Sequence, residues 1–416
     1  MKINKLKSII IISFISVNFV TGIRSQNSVD GTQQAISFSE FLNRVGRNNL
    51  GYLAEKYNVS IAEVEIIAQK VLPDPDLVFE AADETFTLGL AYNLELGNKR
   101  GARVRLAKSK AELENLALEY YYQELRAEAA NLFLDAIQQK ELLSVKKSSY
   151  EYMLQLSRSD SVRFKLGEIT ETDARQSKLE AATLLNDVFE QEAVYKSALV
   201  VLNQFMGRSS DTLNIPSGKW DLLNRDYMLP ELTATGLSNR IDLLAARKNV
   251  EVSVNQQKLV KAERKTDLGL SLNYERDWHG FMPPSRSYTA GISIPLKISN
   301  LNKGAVKVAQ LGIEQSEVQR QNTELRLHSE ISQAFFHFEA AKKKVRQYQT
   351  GLLEESYKIL DGMVYKYKRG ETSIMEVLIA QRTYNEVQEQ YLETMKGYAS
   401  SLVDLQKTCG IWDIEF

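Results

Sequence analysis

The chain has 416 residues, of which 44% are apolar and 25% are charged, and its formal net charge at pH 7 is −1. A nucleic-acid-binding protein needs a basic surface, so this charge balance predicts no nucleic-acid partner. The 7 prolines leave two long proline-free runs, 76–215 and 296–416, in which uninterrupted helices can form.

The N-terminus predicts a secretory signal peptide over residues 1–25. Lys2, Lys5 and Lys7 precede an apolar stretch at 9–20, as in the charged and apolar regions of such a peptide. The alternative is a transmembrane anchor, but about 12 apolar residues are fewer than the roughly 20 that a membrane-spanning helix needs. We therefore expect cleavage near residues 22–26.

Residues 36–207 are predicted to form one structural unit. A helical pattern begins near Ser39, has a break expected at Asn48 and Asn49, and ends at Pro73. Alternating apolar residues then predict a strand pair, and helical periodicity follows on both sides of a turn at Gly167. The predicted elements are a short helix over 39–72, strands over 77–82 and 85–96, and long helices over 98–166 and 171–207.

A connector over 208–230 precedes a second unit over 231–410 that repeats the first. At a shift of 203 residues, Gly167 aligns with Gly370 and Gly207 aligns with Gly410. An internal repeat of this length indicates a duplicated architecture. The elements predicted for the second unit are a helix over 231–265, strands over 267–277 and 287–298, and long helices over 301–369 and 373–409.

The helical pattern predicts a mainly α fold with a small β part. The helix over 98–166 would be on the order of 100 Å long, far more than a compact domain needs. In the last helix, apolar or aromatic residues recur every seven positions, which indicates coiled-coil packing and a core role. These residues are Val377, Tyr384, Tyr391, Tyr398 and Leu405. The single cysteine, Cys409, is expected to be a buried thiol.

The strands are long enough, at about 10–12 residues for most of them, to cross a bilayer when tilted. In lipid every backbone polar group must be paired, so strands cross only in a closed barrel. Four strands cannot close a barrel, since about eight is the smallest usual number. We therefore predict one transmembrane barrel shared between identical chains. The alternative is two soluble hairpins that cap a coiled coil.

Aromatic residues near the predicted strand ends suit the girdle that lines both interfaces of a transmembrane barrel. Aromatics are also ordinary in soluble strands, so this feature does not by itself separate the two alternatives. The candidate interface residues are Phe79, Phe86, Tyr92, Tyr274, Trp278, Phe281 and Tyr288.

The duplicated plan of strand pairs and helical hairpins resembles the TolC family of outer-membrane efflux channels across the whole mature chain. Three stretches, 94–112, 238–251 and 292–310, are similar to its cobalt–zinc–cadmium (CzcC-type) heavy-metal branch. In the second stretch the family's usual Arg-Pro-Asp-Leu is replaced, because Ile241 stands where the family has proline.

The resemblance implies a homotrimer in the outer membrane of a Gram-negative bacterium, with a twelve-stranded barrel and a helical barrel in the periplasm. It implies a passive duct without a cofactor, which carries metal cations or small molecules. The implied partners are outer-membrane lipid, a periplasmic membrane-fusion adaptor and an inner-membrane pump of the RND type. Two other functions stay open: protein or peptide secretion of type I through the same channel, and a soluble periplasmic coiled-coil scaffold.

The same resemblance assigns roles to the two hairpin turns and to the start of the last helix. In the family, acidic side chains there narrow the periplasmic entrance, often as an i, i+3 pair. Here Glu376 holds the first position and Ile379 the second, so one acidic ring is expected. The alternative for Glu376, and the preferred interpretation of its counterpart Asp173, is a first-turn acid stabilised by the helix dipole. The predicted docking tips are Lys165, Leu166, Gly167 and Glu168, and Lys368, Arg369, Gly370 and Glu371.

The sequence contains no catalytic constellation, and we predict that the protein is not an enzyme. Neither an HExxH nor a Cys-x-x-Cys motif occurs. His279, His328 and His337 have no metal-ligand partner at a useful spacing, so no metal site is predicted. His279 is assigned to an outer loop, and the other two are interpreted as helix-surface or satisfied packing residues.

Overall fold

The computed structural model describes residues 34–208, 213–218, 225–278, 283–296 and 301–416. The signal peptide predicted over 1–25 lies outside the described residues. The interface candidate Phe281 and the histidine His279 lie outside them as well.

The first half begins with a short strand and two helices and continues into a strand pair and two long helices. Asn49 separates the first two helices, because it ends one and its side chain accepts a 3.0 Å hydrogen bond from the backbone N–H of Tyr52 in the next. The elements are β1 (Gln34–Ile36), α1 (Phe38–Asn48), α2 (Leu50–Ala68), β2 (Asp76–Ala81), β3 (Thr85–Leu94), α3 (Lys99–Lys165) and α4 (Glu171–Phe205).

The second half repeats this order. Arg240 lies between its first two helices, at the position equivalent to Asn49, but makes no side-chain cap. The elements are β4 (Asn214–Pro216), α5 (Leu229–Asn239), α6 (Ile241–Glu263), β5 (Leu268–Asp277), β6 (Ser285–Ser293), α7 (Lys303–Gln347), α8 (Leu353–Lys368) and α9 (Ile374–Cys409). The strand predicted over 287–298 therefore begins two residues earlier and ends at Ser293.

The helix predicted over 301–369 is not continuous. A π-helical segment, Tyr348–Leu352, separates α7 from α8, and Gly351 within it has φ +142°. That backbone conformation strains any residue with a Cβ atom, and glycine permits it. The equivalent position in α3 is Ser148, and α3 runs unbroken for 67 residues.

The strands form two sheets. β1 and β4 pair in parallel over three residues each, which ties the beginning of the first half to the connector. We did not predict this pairing from the sequence, because such short strands carry no periodicity. The other four strands form an antiparallel sheet in the order β2-β3-β5-β6, so the two hairpins join through β3 and β5. Its edges, β2 and β6, have no strand partner among the described residues.

The helices enclose two apolar clusters at different heights. The larger one contains Phe133 of α3 and Leu402 of α9, and the smaller one, nearer the helical turns, contains Met153 and Val377. The predicted heptad residues of α9 line these clusters, with Val377 and Leu405 fully buried. Cys409 is also fully buried, as predicted, and burial raises the pKa of its thiol to about 11.

Candidate functional site

The four-stranded sheet has one apolar face and one polar face. Residues directly opposite each other in the register share a face, and successive residues alternate between faces. The apolar face is well exposed: Leu90 and Leu272 pair at its centre and are 54% and 58% accessible. The polar face carries Thr87, Gly89, Ala91, Asn93, Ser271, Asn273, Glu275, Ser287, Thr289 and Gly291.

Five of the predicted interface aromatics lie on the apolar face. Phe79 and Phe86 are in edge-to-face contact with ring centroids 5.1 Å apart, and Tyr274 and Tyr288 pair at 5.4 Å. Both pairs lie towards the end of the sheet where the hairpin turns are. Tyr92 lies towards the other end, where the chain enters the helices. Trp278 follows β5 directly and is 44% accessible.

The two helical turns that were predicted as tips have the same backbone structure. At the first, Gly167 has φ +77° and Glu168 N–H donates to the carbonyl of Arg163 at 2.9 Å. At the second, Gly370 has φ +73° and Glu371 N–H donates to the carbonyl of Lys366 at 2.9 Å. This is the Schellman arrangement, in which a left-handed residue, usually glycine, ends the helix. The conformation of each hairpin turn is therefore set by its own glycine and its own backbone hydrogen bonds.

The tip residues themselves are exposed. Leu166 is 69% accessible, so an apolar side chain projects from the first tip. Ion pairs brace both turns: Arg163 contacts Glu168 at 3.3 Å, and Arg369 contacts Glu371 at 2.8 Å. The turns consequently offer apolar, basic and acidic groups on a firm backbone.

The acidic residues that follow the two turns differ in their contacts. Asp173 belongs to a capping box: its N–H donates to Thr170 Oγ1 at 3.1 Å, and its carboxylate accepts from Thr170 N–H at 3.3 Å. Glu376 occupies the equivalent position after Ser373, but no side-chain cap forms there. Glu376 is exposed and forms no ion pair with any described residue. Its carboxylate is therefore available to solvent.

A buried polar cluster close to the tips connects three helices, and we did not predict it. Asp160 of α3 is completely buried and accepts a 3.0 Å hydrogen bond from the hydroxyl of Tyr367 in α8. Arg163 has its guanidinium 5.0 Å from the Tyr367 ring and 3.9 Å from the Asp160 carboxylate. Burial raises the pKa of Asp160, although Ser177 of α4, Tyr367 and Arg163 favour its charged form. The cluster fastens the first hairpin to the second.

A signal for this cluster does exist in the sequence. Asp160 is an acidic residue on a face of α3 that also carries Met153 and Leu156, both buried. A single charge in an apolar stripe is the usual mark of a buried, paired group. The pattern does not name the partner, because Tyr367 is 207 residues away.

The described part of the chain contains no candidate metal cluster and no candidate membrane-spanning helix. Within it, no three histidine, cysteine, aspartate or glutamate side chains lie close enough together to hold a metal ion. None of the described helices is both long and apolar enough to cross a membrane. His328 and His337 are exposed on α7.

The fold is that of the outer-membrane efflux channels. Crystal structures of CusC match with a TM-score of 0.76 at 13% identity, covering 94% of this chain and 96% of the other. A membrane protein from Pseudomonas aeruginosa matches with a TM-score of 0.74 at 15% identity over 90% of this chain and 92% of that one. The open state of the MtrE channel of Neisseria gonorrhoeae matches at 0.71 and 15% identity, over 90% and 89%.

Sequence comparison gives the same result. Residues 233–410, almost the whole second repeat, match the family model "Outer membrane efflux protein". The cobalt-zinc-cadmium resistance protein CzcC of Cupriavidus metallidurans is 23% identical over 354 residues, 83% of each chain. The outer membrane efflux protein BepC of Brucella suis is 22% identical over 313 residues, 73% of this chain and 67% of BepC. These matches confirm the resemblance to the TolC family, including its CzcC-type branch.

Proposed function

We propose that this protein is the outer-membrane channel of a tripartite efflux system, with its helices in the periplasm. The observation that carries the proposal is a sheet with one exposed apolar face and one polar face, joined to helical hairpins about 100 Å long. Alternation of this kind suits a barrel wall between lipid and water.

The unpaired sheet edges support a homotrimer. In lipid an open edge would leave backbone groups without hydrogen bonds, so β2 and β6 need partners. Because four strands cannot close a barrel, the free β6 of one copy pairs with β2 of the next. Three copies give the twelve strands implied by the family resemblance.

The two tips are the proposed contact with a periplasmic adaptor and, through it, an inner-membrane pump of the RND type. Support comes from their exposure, their rigid Schellman backbone and the exposed Leu166. The chain acts as a passive duct in this scheme and catalyses no reaction. Its named relatives are channel or resistance proteins, and the energy for transport comes from the pump.

Glu376 is the proposed gate residue. Three copies of an exposed, uncapped carboxylate just inside the tips would form an acidic ring at the periplasmic entrance. A ring of one charge attracts ions of the other and excludes like ions. Ile379 stands where the family often has the second acid of the i, i+3 pair. Its side chain is 55% accessible and carries no charge, so a single acidic ring is proposed.

Metal cations or small molecules are the proposed cargo. The relative CzcC is named for resistance to cobalt, zinc and cadmium, and an acidic entrance suits divalent cations. A deletion strain is expected to become sensitive to these metals and to recover with the wild-type gene. Unchanged metal tolerance together with a lost secreted polypeptide would favour type I secretion instead.

Channel formation is tested with the purified full chain. We expect it in the outer-membrane fraction, as a trimer that forms pores in planar lipid bilayers. A chain that stays soluble and gives no conductance would identify the protein as a periplasmic scaffold and refute the channel.

A further inference from the structure

We propose that Arg276 and Arg286 form a binding surface for the phosphate groups of outer-leaflet glycolipid. The inference rests on the proposed function, because it requires the sheet to stand in the outer membrane. It adds a defined ligand chemistry to the barrel exterior.

The register brings the two arginines together. Arg276 of β5 and Arg286 of β6 are directly opposite each other, in the same row as Phe86 of β3. Opposite residues share a face, so both arginines belong to the exposed apolar face and not to the polar one. The neighbouring row of that face holds the pair Tyr274 and Tyr288.

Their row is the last one before the hairpin turns. The β2–β3 and β5–β6 connections are both at this end of the sheet, whereas the helices leave from the other end. With the helices in the periplasm, this end points to the cell exterior. The arginines therefore lie just beyond the tyrosine pair, where hydrocarbon gives way to lipid headgroups.

The positive charges of this row are not neutralised within the described chain. Both arginines are exposed, and neither forms an ion pair with a described residue. Arg276 has its guanidinium 5.7 Å from the Trp278 ring. The two acidic residues that flank Arg276 in β5, Glu275 and Asp277, project from the opposite face.

Two like charges directly opposite each other destabilise a sheet unless an external group neutralises them. A phosphate does this well, because each guanidinium can donate two parallel hydrogen bonds to its oxygens. The phosphate that reaches this face would come from lipid, because the outer leaflet of an outer membrane is rich in phosphorylated glycolipid. The trimer would present three such arginine pairs around the barrel.

The test measures which lipid the purified trimer retains. Wild type and R276Q/R286Q are incubated in detergent with bisphosphorylated lipid A and, separately, with its dephosphorylated form, and bound lipid is counted by native mass spectrometry. We expect the wild type to prefer the phosphorylated form and the variant to retain roughly thirtyfold less of it, as two interfacial arginines at about 1 kcal/mol each would contribute. The control R175Q/R326Q, which removes the same charge from two exposed helix arginines, should retain as much as the wild type.

The variant R276K/R286K separates lost lipid binding from a folding defect. It keeps both positive charges but cannot donate the two parallel hydrogen bonds that a guanidinium makes to phosphate. It should conduct normally and retain an intermediate amount of phosphorylated lipid. Equal retention of the two lipids by the wild type, or no loss in R276Q/R286Q, would overturn the inference while the channel stands. Failure of the wild type to insert into phosphatidylcholine vesicles or to conduct would instead refute the proposed function, and the inference with it.

Discussion

Two acidic residues at equivalent positions of the repeat have different surroundings. Asp173 closes a capping box with Thr170, whereas Glu376 makes no contact of that kind. Both repeats have an acid at this position, but only Asp173 makes capping hydrogen bonds. The helix-dipole interpretation preferred for Asp173 fits its capping contacts, and a pore role for Glu376 stays a prediction.

Replacing Glu376 by alanine is expected to lower the preference of the pore for cations, because the entrance loses one negative charge per copy. The measurement is the reversal potential in a salt gradient across a planar bilayer. The matched variant D173A should leave the reversal potential unchanged and instead cost about 1 kcal/mol of stability through the lost cap. An E376A channel with wild-type current and selectivity would place Glu376 outside the pore.

Removing the Tyr367 hydroxyl is expected to loosen the tip. In Y367F the buried Asp160 carboxylate loses a donor, which costs about 1–3 kcal/mol for a buried group. Amide hydrogen exchange of α8 measures the effect as faster local opening. Y365F is the control, since Tyr365 is 59% accessible and its hydroxyl bonds to the exposed Arg369.

The stability of the same cluster should depend on pH. Burial raises the pKa of Asp160, so the folded protein holds this proton more tightly than the unfolded chain does. The resulting stabilisation is complete below the ordinary aspartate pKa of about 4 and is lost as the pH rises through the raised value. The stability of wild type relative to D160N should therefore fall as the pH rises above about 4, as followed by thermal unfolding. A difference that is constant across this range would contradict the prediction.

At the scale of elements, the first long helix of each repeat differs in its continuity. α3 is continuous, whereas the matching helix of the second repeat contains the π-helical segment Tyr348–Leu352. Tyr348, the first residue of this segment, has its ring 5.9 Å from that of Tyr391 on α9. The interruption therefore lies in a helix that remains attached to its neighbour.

Substituting Gly351 by alanine should strain this segment. With φ at +142°, the added Cβ costs about 1–3 kcal/mol or forces the helix to straighten. Gly312, which lies in α7 with open space around it, is the matched control. G312A should be neutral or stabilise by about 0.5–1 kcal/mol. The measurement is the midpoint of thermal unfolding of both variants. Equal midpoints would show that position 351 does not require glycine.

At the scale of the whole molecule, the two faces of the sheet determine where the protein can reside. Leu272 lies near the middle of the exposed apolar face, and its chain neighbour Ser271 lies on the polar face. The two positions are adjacent in sequence, yet in a barrel one would meet lipid and the other the lumen.

Arginine at position 272 is expected to impair membrane insertion, since a charge on the lipid face at mid-depth costs about 2–4 kcal/mol. Arginine at position 271 should be tolerated and should change the conductance instead. Folding yield into lipid vesicles from urea measures the first effect, and single-channel current measures the second. If S271R and L272R fold equally well, the apolar face does not contact lipid.

Features that are local or that repeat along the chain could be predicted from the sequence. Helical periodicity and strand alternation are local patterns, and the 203-residue shift is a match of the sequence with itself. Together they predicted long hairpins, strands with two different faces, and glycine turns such as those at Gly167 and Gly370. The family resemblance rested on the same ordered patterns.

Contacts between groups that are distant in the sequence are visible only in the folded molecule. It alone shows the contact of Asp160 with Tyr367, the pairing of β3 with β5, the β1–β4 ladder and the opposed Arg276 and Arg286. It also shows the conformation of Gly351, since an isolated glycine in a helical pattern is compatible with an ordinary helix. The physical reason is that periodicity specifies which face of an element is buried, whereas partners and registers depend on how the separate elements pack together in space.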